Sequence, residues 1–242
     1  MRHTLEISKP GTGEGRVCAI HQPNFFPWLG YFDKMQRADV FVYLDAVSYP
    51  RSGSRGWSGR VKIAMQNEAR WIGCPIQHGS RSGLIHDVVI ADDWSWRGKF
   101  WRALDVNYRK APNFAQTMAM LEPLIFYETN NLADFNINAI ERIRKFIGIG
   151  VETLRQSELR TTGASTELLI DITRLVECDT YLCGGGAAEY QEDALFEPAG
   201  IRLAYQDFSP KPYGDSDKFI PGLSVIDYLM KTDVEALAPN EE

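Results

Sequence analysis

The sequence predicts an α/β fold with a mainly parallel sheet flanked by helices and a helical section in the middle. Short apolar runs alternate with segments of helical periodicity, three helical segments follow one another over residues 94–148, and a glycine-rich turn follows a late strand. Alternating strands and helices are typical of parallel sheets, in which ligands bind beyond the carboxyl ends of the strands. We therefore expect a single α/β domain over residues 16–242, with a helical insertion near 94–148, preceded by a flexible tail over residues 1–15.

The first elements have the order strand, helix, strand. RVCAI is a continuous apolar run, PWLGYFDKMQRA has helical spacing and begins with Pro27, and DVFVYLD is a second apolar run. Proline suits the first position of a helix because its missing N–H would have no helical partner. A βαβ unit therefore opens the fold. His21 and Asn24 follow its first strand, and Asp45, a candidate binding residue, follows its second.

The rest of the chain continues this pattern. The polar segment AVSYPRSGSRGWSGR predicts a loop or an ordered lid, and strands are expected over VKIA, WIGCPI and IHDVVI. After the three helices, VETLRQSEL predicts a strand and STELLIDITRLVECD a helix that leads into the strand TYLC. GIRLAYQDF predicts a late strand and GLSVIDYLM a short terminal helix.

The composition is that of a globular protein, with 44% hydrophobic and 24% charged residues among 242. The net charge of -6 argues against a broad nucleic-acid-binding surface. The four cysteines lie in or beside apolar stretches without a CxxC pair, which indicates buried thiols and a reducing compartment. No stretch approaches the roughly 20 apolar residues of a membrane helix, and no signal-peptide core is present, so we expect a cytoplasmic protein without a membrane span.

His21 is the candidate catalytic residue because it stands between an apolar strand and the first helix. A histidine in this place is a general base, a donor to phosphate, or a hydrogen-bonded core residue. Gln22 and Asn24 are candidate binding residues beside it. The aromatic residues that follow mainly pack the first helix against the sheet, and Trp28 and Tyr31 are the two that we assign to a pocket wall.

The loop after the second strand concentrates positive charge. It contains Arg51, Arg55, Arg60 and Lys62, interleaved with Trp57. Guanidinium groups form bidentate contacts with phosphate or carboxylate, and an indole ring stacks on a base or a sugar. The loop is therefore either an anion-binding lid or a solvated surface, and the sequence leaves both interpretations open.

The turn after TYLC contains Gly184, Gly185 and Gly186, with Glu189 and Tyr190 just beyond. Successive glycines let backbone N–H groups approach an anion, or they simply make a tight turn. Neither GxGxxG nor GxxxxGK[ST] occurs, so neither a dinucleotide fold nor a P-loop is indicated. The absence of metal-ligand spacing and of a GxSxG elbow favours a metal-independent mechanism, and the sequence identifies no cofactor.

Several separated motifs resemble the WbqC-like family, which is associated with bacterial surface-polysaccharide and O-antigen biosynthesis. These motifs are IHQPNFFPWLGYFDKM, the basic segment around RVKI, TYLCGGGAAEY, AYQDF and PGLSVIDYLM, in order over residues 17–230. The resemblance implies a transferase that acts on modified sugars. The matching positions are His21, Gln22, Pro23, Pro27, Trp28, Gly30, Tyr31, Phe32, Arg60, Lys62, Tyr181, Gly184, Gly186, Tyr190, Pro221, Ser224 and Asp227. The chain departs from the family pattern in a Gly/Ser/Arg-rich expansion at 51–59 and in Gly185.

The first βαβ unit is also similar to that of nucleotidylyltransferases with an HxGH motif. In this chain NFFP stands where HxGH would fall, so the paired histidines that stabilise a triphosphate are missing. The similarity therefore concerns the fold, and adenylyl transfer by that mechanism does not carry over.

The leading hypothesis is a transferase that moves an acyl, aminoacyl or sugar group onto a nucleotide-linked amino sugar. His21 would be its general base, and Arg60 and Lys62 would hold the diphosphate. The alternatives are a nucleotide-activating enzyme of the nucleotidylyltransferase kind and a non-enzymatic scaffold that binds a nucleotide sugar. The expected partner is a small molecule, and the sequence leaves a homo-oligomer open.

Overall fold

The computed structural model describes residues 15–50, 56–91, 94–186 and 191–232, which form seven strands and six α-helices. The strands are β1 (Val17–His21), β2 (Val40–Tyr43), β3 (Arg60–Met65), β4 (Glu68–Gly73), β5 (Glu152–Arg155), β6 (Thr180–Cys183) and β7 (Arg202–Tyr205). The helices are α1 (Leu29–Gln36), α2 (Ser95–Tyr108), α3 (Phe114–Ile125), α4 (Leu132–Phe146), α5 (Ser165–Leu175) and α6 (Val225–Lys231). Apart from Gly15, the predicted N-terminal tail lies outside the described residues.

Five strands form a parallel sheet in the order β5-β2-β1-β6-β7, and β3 and β4 form a separate antiparallel hairpin. From β1 the chain builds outward through β2 to β5, and then returns to the other side of β1 to add β6 and β7. The order reverses between β1 and β6, and in doubly wound sheets this reversal marks the crevice where ligands bind. The predicted α/β class is thus confirmed, whereas nothing in this topology singles out a nucleotidylyltransferase-like first unit.

The sheet is buried on both faces. Successive side chains of a strand point in opposite directions, so the side chains of one strand alternate between two cores. Ala19 of β1 and Phe41 of β2 belong to the larger core, which also contains the inner faces of α1, α2, α3, α4 and α6. Cys18 and Ile20 belong to the second core, which packs against α5. All four cysteines are buried free thiols. Near-continuous apolar strands, as found in β1 and β2, are the sequence pattern of such doubly covered sheets.

The first helix begins at Leu29, two residues later than the prediction that placed Pro27 at its start. Trp28 has extended backbone angles and forms an isolated antiparallel bridge with Ser224. The Pro27 carbonyl accepts a hydrogen bond from Val225 N at 2.7 Å. The start of α6 therefore holds this stretch in an extended conformation, which is a long-range interaction that the local pattern does not contain.

The predicted strand over IHDVVI is wrong. The segment forms a 3-10 turn at Ile85–Asp87 and then isolated bridges at Val89 and Ile90. Its backbone N–H groups donate to loops, with Ile90 N bonded to Asn130 O at 2.7 Å. A short apolar run is buried here without a neighbouring strand, and periodicity alone does not distinguish this case from a sheet strand.

Candidate functional site

A cavity of about 1080 Å³ lies beside the β3–β4 hairpin, between the loops that flank it and the start of α2. Its described lining includes four basic side chains, two indoles and a phenol. These are Tyr49, Arg60, Trp71, His78, Arg81, Trp96 and Lys99. Of this set, only Arg60 was predicted as a site residue. The other six lie in segments for which the sequence predicts a loop, a strand or a helix.

The electrostatic character of the cavity is positive. Arg60, Arg81 and Lys99 contribute cations, and no Asp or Glu occurs among the described residues that line it. Arg81 and Lys99 are exposed, so their flexible side chains can adjust to a ligand. Clefts lined by one sign of charge concentrate ligands of the opposite sign. The cavity is therefore suited to a phosphate-bearing or carboxylate-bearing molecule.

Trp71 supplies a flat apolar surface at this cavity and is 42% exposed. The Arg60 guanidinium lies 4.2 Å from the centre of the Trp71 ring, and the Lys62 ammonium lies 5.2 Å from it. The Trp57 ring centre is 5.1 Å away. Cation–π contacts orient cations over the indole face. An aromatic ring that can stack on a ligand thus lies beside cations that can bind an anion.

The hairpin that carries Trp71 is shaped by its turn and by one glycine. Gln66 and Asn67 at the turn both have left-handed backbone angles, with φ of 54° and 62°, as expected for a tight two-residue hairpin turn. A Cβ added at Gly73 would lie 2.3 Å from the Gly59 carbonyl oxygen. Only glycine allows this close approach, which brings the end of β4 against the segment that leads into β3.

His21 lies at the carboxyl end of β1 and is half-buried. Its Nδ1 is 3.1 Å from the Gln22 carbonyl oxygen, and its ring meets the Tyr31 ring edge-on at 4.8 Å. With Nδ1 as the donor to that carbonyl, Nε2 carries the lone pair. Burial, with a further contribution from the positive charge of Lys34, lowers the pKa of His21 to about 3. The imidazole is therefore neutral at physiological pH and is a weak base.

Lys34 was missed by the sequence analysis although it lies close to His21. Its side chain is buried on the inner face of α1, and Nζ donates to the Ile20 carbonyl oxygen at 3.0 Å. Burial lowers the pKa of this amine to about 8. Helical spacing could have found it, because Lys34 follows Tyr31 by three residues and so falls on the face that packs against the sheet.

Two further predicted residues, Asp45 and Gln22, form hydrogen bonds that fix the chain at the same edge of the sheet. Asp45 is fully buried, and its carboxylate accepts hydrogen bonds from Ser157 N at 2.9 Å and Ser157 Oγ at 2.7 Å. It therefore ties the end of β2 to the turn after β5. The Gln22 carbonyl accepts from Tyr31 Oη at 3.1 Å, which fixes the chain after β1 against α1. Asn24 is buried nearby.

Trp28 and the glycine turn occupy other parts of this edge. The Trp28 ring packs directly over Gly30, where a Cβ would lie 2.3 Å from the indole, and meets Phe208 at 5.5 Å. Gly184 and Gly186 follow β6, and a Cβ at either would meet nothing within 4 Å. The turn is thus open to solvent or ligand. The predicted residues Arg51, Glu189 and Tyr190 lie outside the described residues.

The structure therefore divides the predicted site residues into two groups. Arg60, Trp57 and Lys62 gather around Trp71 at the hairpin cavity. His21 and Gly184 lie at the carboxyl ends of β1 and β6. In the described parts of the chain, no group of three or more His, Cys, Asp or Glu side chains could hold a metal ion. None of the described helices has the length and apolar character needed to cross a bilayer.

A five-stranded parallel sheet covered on both faces, with a cationic, aromatic-lined cavity beside it, defines an α/β protein. The chain belongs to the WbqC-like protein family, whose sequence profile matches residues 22–238. Uncharacterized protein Rv1507c of Mycobacterium tuberculosis is 28% identical to it over 226 residues, which cover 91% of this chain and 96% of the relative. No solved structure matches the chain.

Proposed function

We propose that this protein is a transferase that acts on a nucleotide-linked amino sugar in surface-polysaccharide biosynthesis. In this proposal the hairpin cavity binds the diphosphate of the substrate. The observation that carries the proposal is the lining of the cavity: three cations, an exposed indole, and no acidic side chain among the described lining residues.

The size and composition of the cavity support this ligand class. Small-molecule sites in proteins span about 300–1,000 Å³, so a volume of about 1080 Å³ accommodates a nucleoside diphosphate with a sugar attached. Arg60 and Arg81 can bind phosphate oxygens in a bidentate manner, and Lys99 adds a point charge. Trp71 then lies where a base or a sugar ring can stack on it.

Group transfer onto the amino sugar needs a proton acceptor, and His21 is the proposed general base. With Nδ1 donating to Gln22 O, Nε2 is the nitrogen that takes the proton. A base of pKa about 3 is inefficient at pH 7. In this proposal the negative charge of a bound substrate raises the pKa of His21, because a nearby anion stabilises the imidazolium. The acyl or aminoacyl group passes from its donor to the amino nitrogen of the sugar: the new bond to nitrogen forms, the bond between the carbonyl carbon and the donor's leaving group breaks, and the leaving group departs with that electron pair. His21 takes the amine proton, and the reaction uses no metal.

Calorimetric titration with nucleoside diphosphate sugars tests the binding step. Affinity should fall about tenfold or more in Arg60→Gln and in Lys99→Gln, because each loses a charge-assisted contact to phosphate. Arg70→Gln is the matched control, since Arg70 is an exposed hairpin arginine paired with Glu68. Equal affinities in Arg60→Gln and Arg70→Gln would contradict the assignment of the cavity.

Turnover assays separate this function from its alternatives. Incubation with acyl and aminoacyl donors should yield a modified nucleotide sugar, and His21→Ala should abolish that product while ligand affinity is retained. Pyrophosphate release from ATP or CTP would instead identify a nucleotidylyltransferase. Binding without turnover would favour the scaffold.

A further inference from the structure

A second cavity, of about 480 Å³, lies between the start of α2 and the segment that follows α3. Trp94 and Arg97 line it from the side of α2, and residues 128–130 line it from the side of α3. Trp96 lines both this cavity and the hairpin cavity, so the two adjoin each other. Small-molecule sites span about 300–1,000 Å³, so the second cavity suits a ligand of about one or two six-membered rings.

Arg97 holds the walls of the second cavity together. It is 3% exposed, and its guanidinium donates to the Ile125 carbonyl oxygen and, at 2.9 Å, to the Thr129 carbonyl oxygen. The same group lies 4.6 Å from the centre of the Trp94 ring and 4.7 Å from that of the Trp96 ring. One side chain therefore ties the start of α2 to the end of α3 and positions both indoles. The cavity is formed before any ligand binds.

The charges at the second cavity favour a neutral ligand. A cationic ligand would need the space over the indole faces, but the Arg97 guanidinium already occupies a place over both rings. An anionic ligand would meet the negative charge of Glu128, while Arg97 already donates to two carbonyls. The described lining contains one arginine and one glutamate and so carries no net charge. The hairpin cavity, in contrast, is lined by cations.

The groups that remain available to a ligand match the surface of a sugar ring. Trp94 is 47% exposed, and Glu128 and Asn130 are exposed beside it. An indole is a flat apolar surface that can cover the C–H face of a pyranose. A carboxylate accepts hydrogen bonds from two neighbouring hydroxyl groups, and an amide both donates and accepts. Few other neutral molecules combine an apolar face with several hydroxyl groups at the rim.

We propose that the second cavity binds a neutral sugar. One pyranose ring stacks on Trp94, and its hydroxyl groups bond to Glu128 and Asn130. Because Trp96 is a wall of both cavities, this sugar lies next to a ligand in the hairpin cavity. The proposal goes beyond the proposed function and does not require the hairpin cavity to bind a nucleotide sugar.

Saturation-transfer NMR on the full chain tests the site with methyl β-glucoside, methyl β-galactoside, N-acetylglucosamine and lactose. At least one of these sugars should bind, and the strongest transfer should go to the C–H protons of one ring face, which contact the indole. Neither choline nor inorganic phosphate should displace the bound sugar, since the cavity favours neither charge. No binding of any of the four sugars, or displacement by choline or phosphate, would overturn the proposal.

Two variants with matched controls identify the residues. Trp94→Ala should lower sugar affinity about tenfold or more, whereas Tyr127→Ala, at an exposed aromatic residue outside the described cavity lining, should leave it unchanged. Glu128→Gln should lower it about fivefold or more, and Glu122→Gln, at an exposed glutamate of α3, should not. If Trp94→Ala does not fold, Glu128→Gln decides. Unchanged affinity in the deciding variant, or loss of sugar binding in Arg60→Gln with none in Trp94→Ala, would refute the site.

Discussion

Asn136 joins three parts of the chain through one buried amide. It lies in α4 and is fully buried, and its Nδ2 donates to Pro23 O at 2.9 Å and to Ser58 O at 2.7 Å. Pro23 belongs to the turn after β1, and Ser58 belongs to the segment that leads into the hairpin. Asn136→Ala should therefore loosen both the His21 turn and the wall of the hairpin cavity.

The size of the effect follows from the groups that lose a partner. Each hydrogen bond contributes about 1 kcal/mol, and each buried carbonyl left without a donor costs about 1–3 kcal/mol. Asn136 Oδ1 is itself buried without a partner, so its removal offsets part of that loss. We expect Asn136→Ala to lower the free energy of unfolding by about 2–4 kcal/mol.

Urea denaturation followed by circular dichroism measures this difference, with Asn107→Ala as the matched control. Asn107 lies within α2, and its Nδ2 donates to Ala103 O at 2.7 Å in the same helix. Both variants gain the helix propensity of alanine, so this contribution cancels in the comparison. The control should change stability by less than about 1 kcal/mol. The reasoning is refuted if Asn136→Ala costs no more than Asn107→Ala.

Three further predictions concern the packing of α1 and the two depressed pKa values. Gly30→Ala should cost about 1–3 kcal/mol because its Cβ would lie 2.3 Å from the Trp28 ring. Gly98→Ala in α2, where a Cβ meets nothing within 4 Å, should stabilise the protein by up to about 1 kcal/mol. Equal melting temperatures of the two variants would contradict these two expectations. The folded-state pKa of His21, about 3, is below its ordinary value of 6.5. Between about pH 3 and 6.5 the unfolded state therefore binds a proton that the folded state does not bind. Stability should therefore fall as pH falls from about 6.5 to 3, and His21→Gln should flatten that slope in urea titrations at each pH. The pKa of Lys34, about 8 instead of 10.5, predicts a rise in stability between about pH 8 and 10.5 that Lys34→Met should lack; an identical rise in the variant would exclude Lys34 as its source.

The fold class could be predicted because it depends on local periodicity. Apolar runs such as the one in β1 and the 3.6-residue spacing in α4 are properties of neighbouring residues. The same local pattern placed His21, Asp45 and Gly184 just at or beyond the ends of their strands. The strand order also depends on the pairing of β1 with β6, whose paired residues are more than 150 positions apart, and no local pattern contains that pairing.

The hairpin cavity was only partly predictable for the same reason. Arg60 and Trp57 stood out because they lie within one short basic segment. His78 and Arg81 lie in one 3-10 turn and Lys99 lies in α2, and they line one cavity with Arg60 only after the hairpin has packed beside α2. A solvated lysine and a ligand-binding lysine have the same sequence signature, so the distinction needs the cavity itself.

The turn between β1 and α1 connects His21 to the hairpin cavity. Phe25 N donates to Trp57 O at 2.8 Å, and the Trp57 ring lies beside the Trp71 ring at the hairpin cavity. His21 precedes Phe25 by four residues, a stretch of chain that spans at most about 14 Å. Phe25 is itself fixed in the aromatic core, stacked on Phe135 at 5.8 Å. The geometry of this turn therefore comes from its buried aromatic and proline residues. That packing is what would hold a group bound near His21 at a set distance from a ring bound on Trp71.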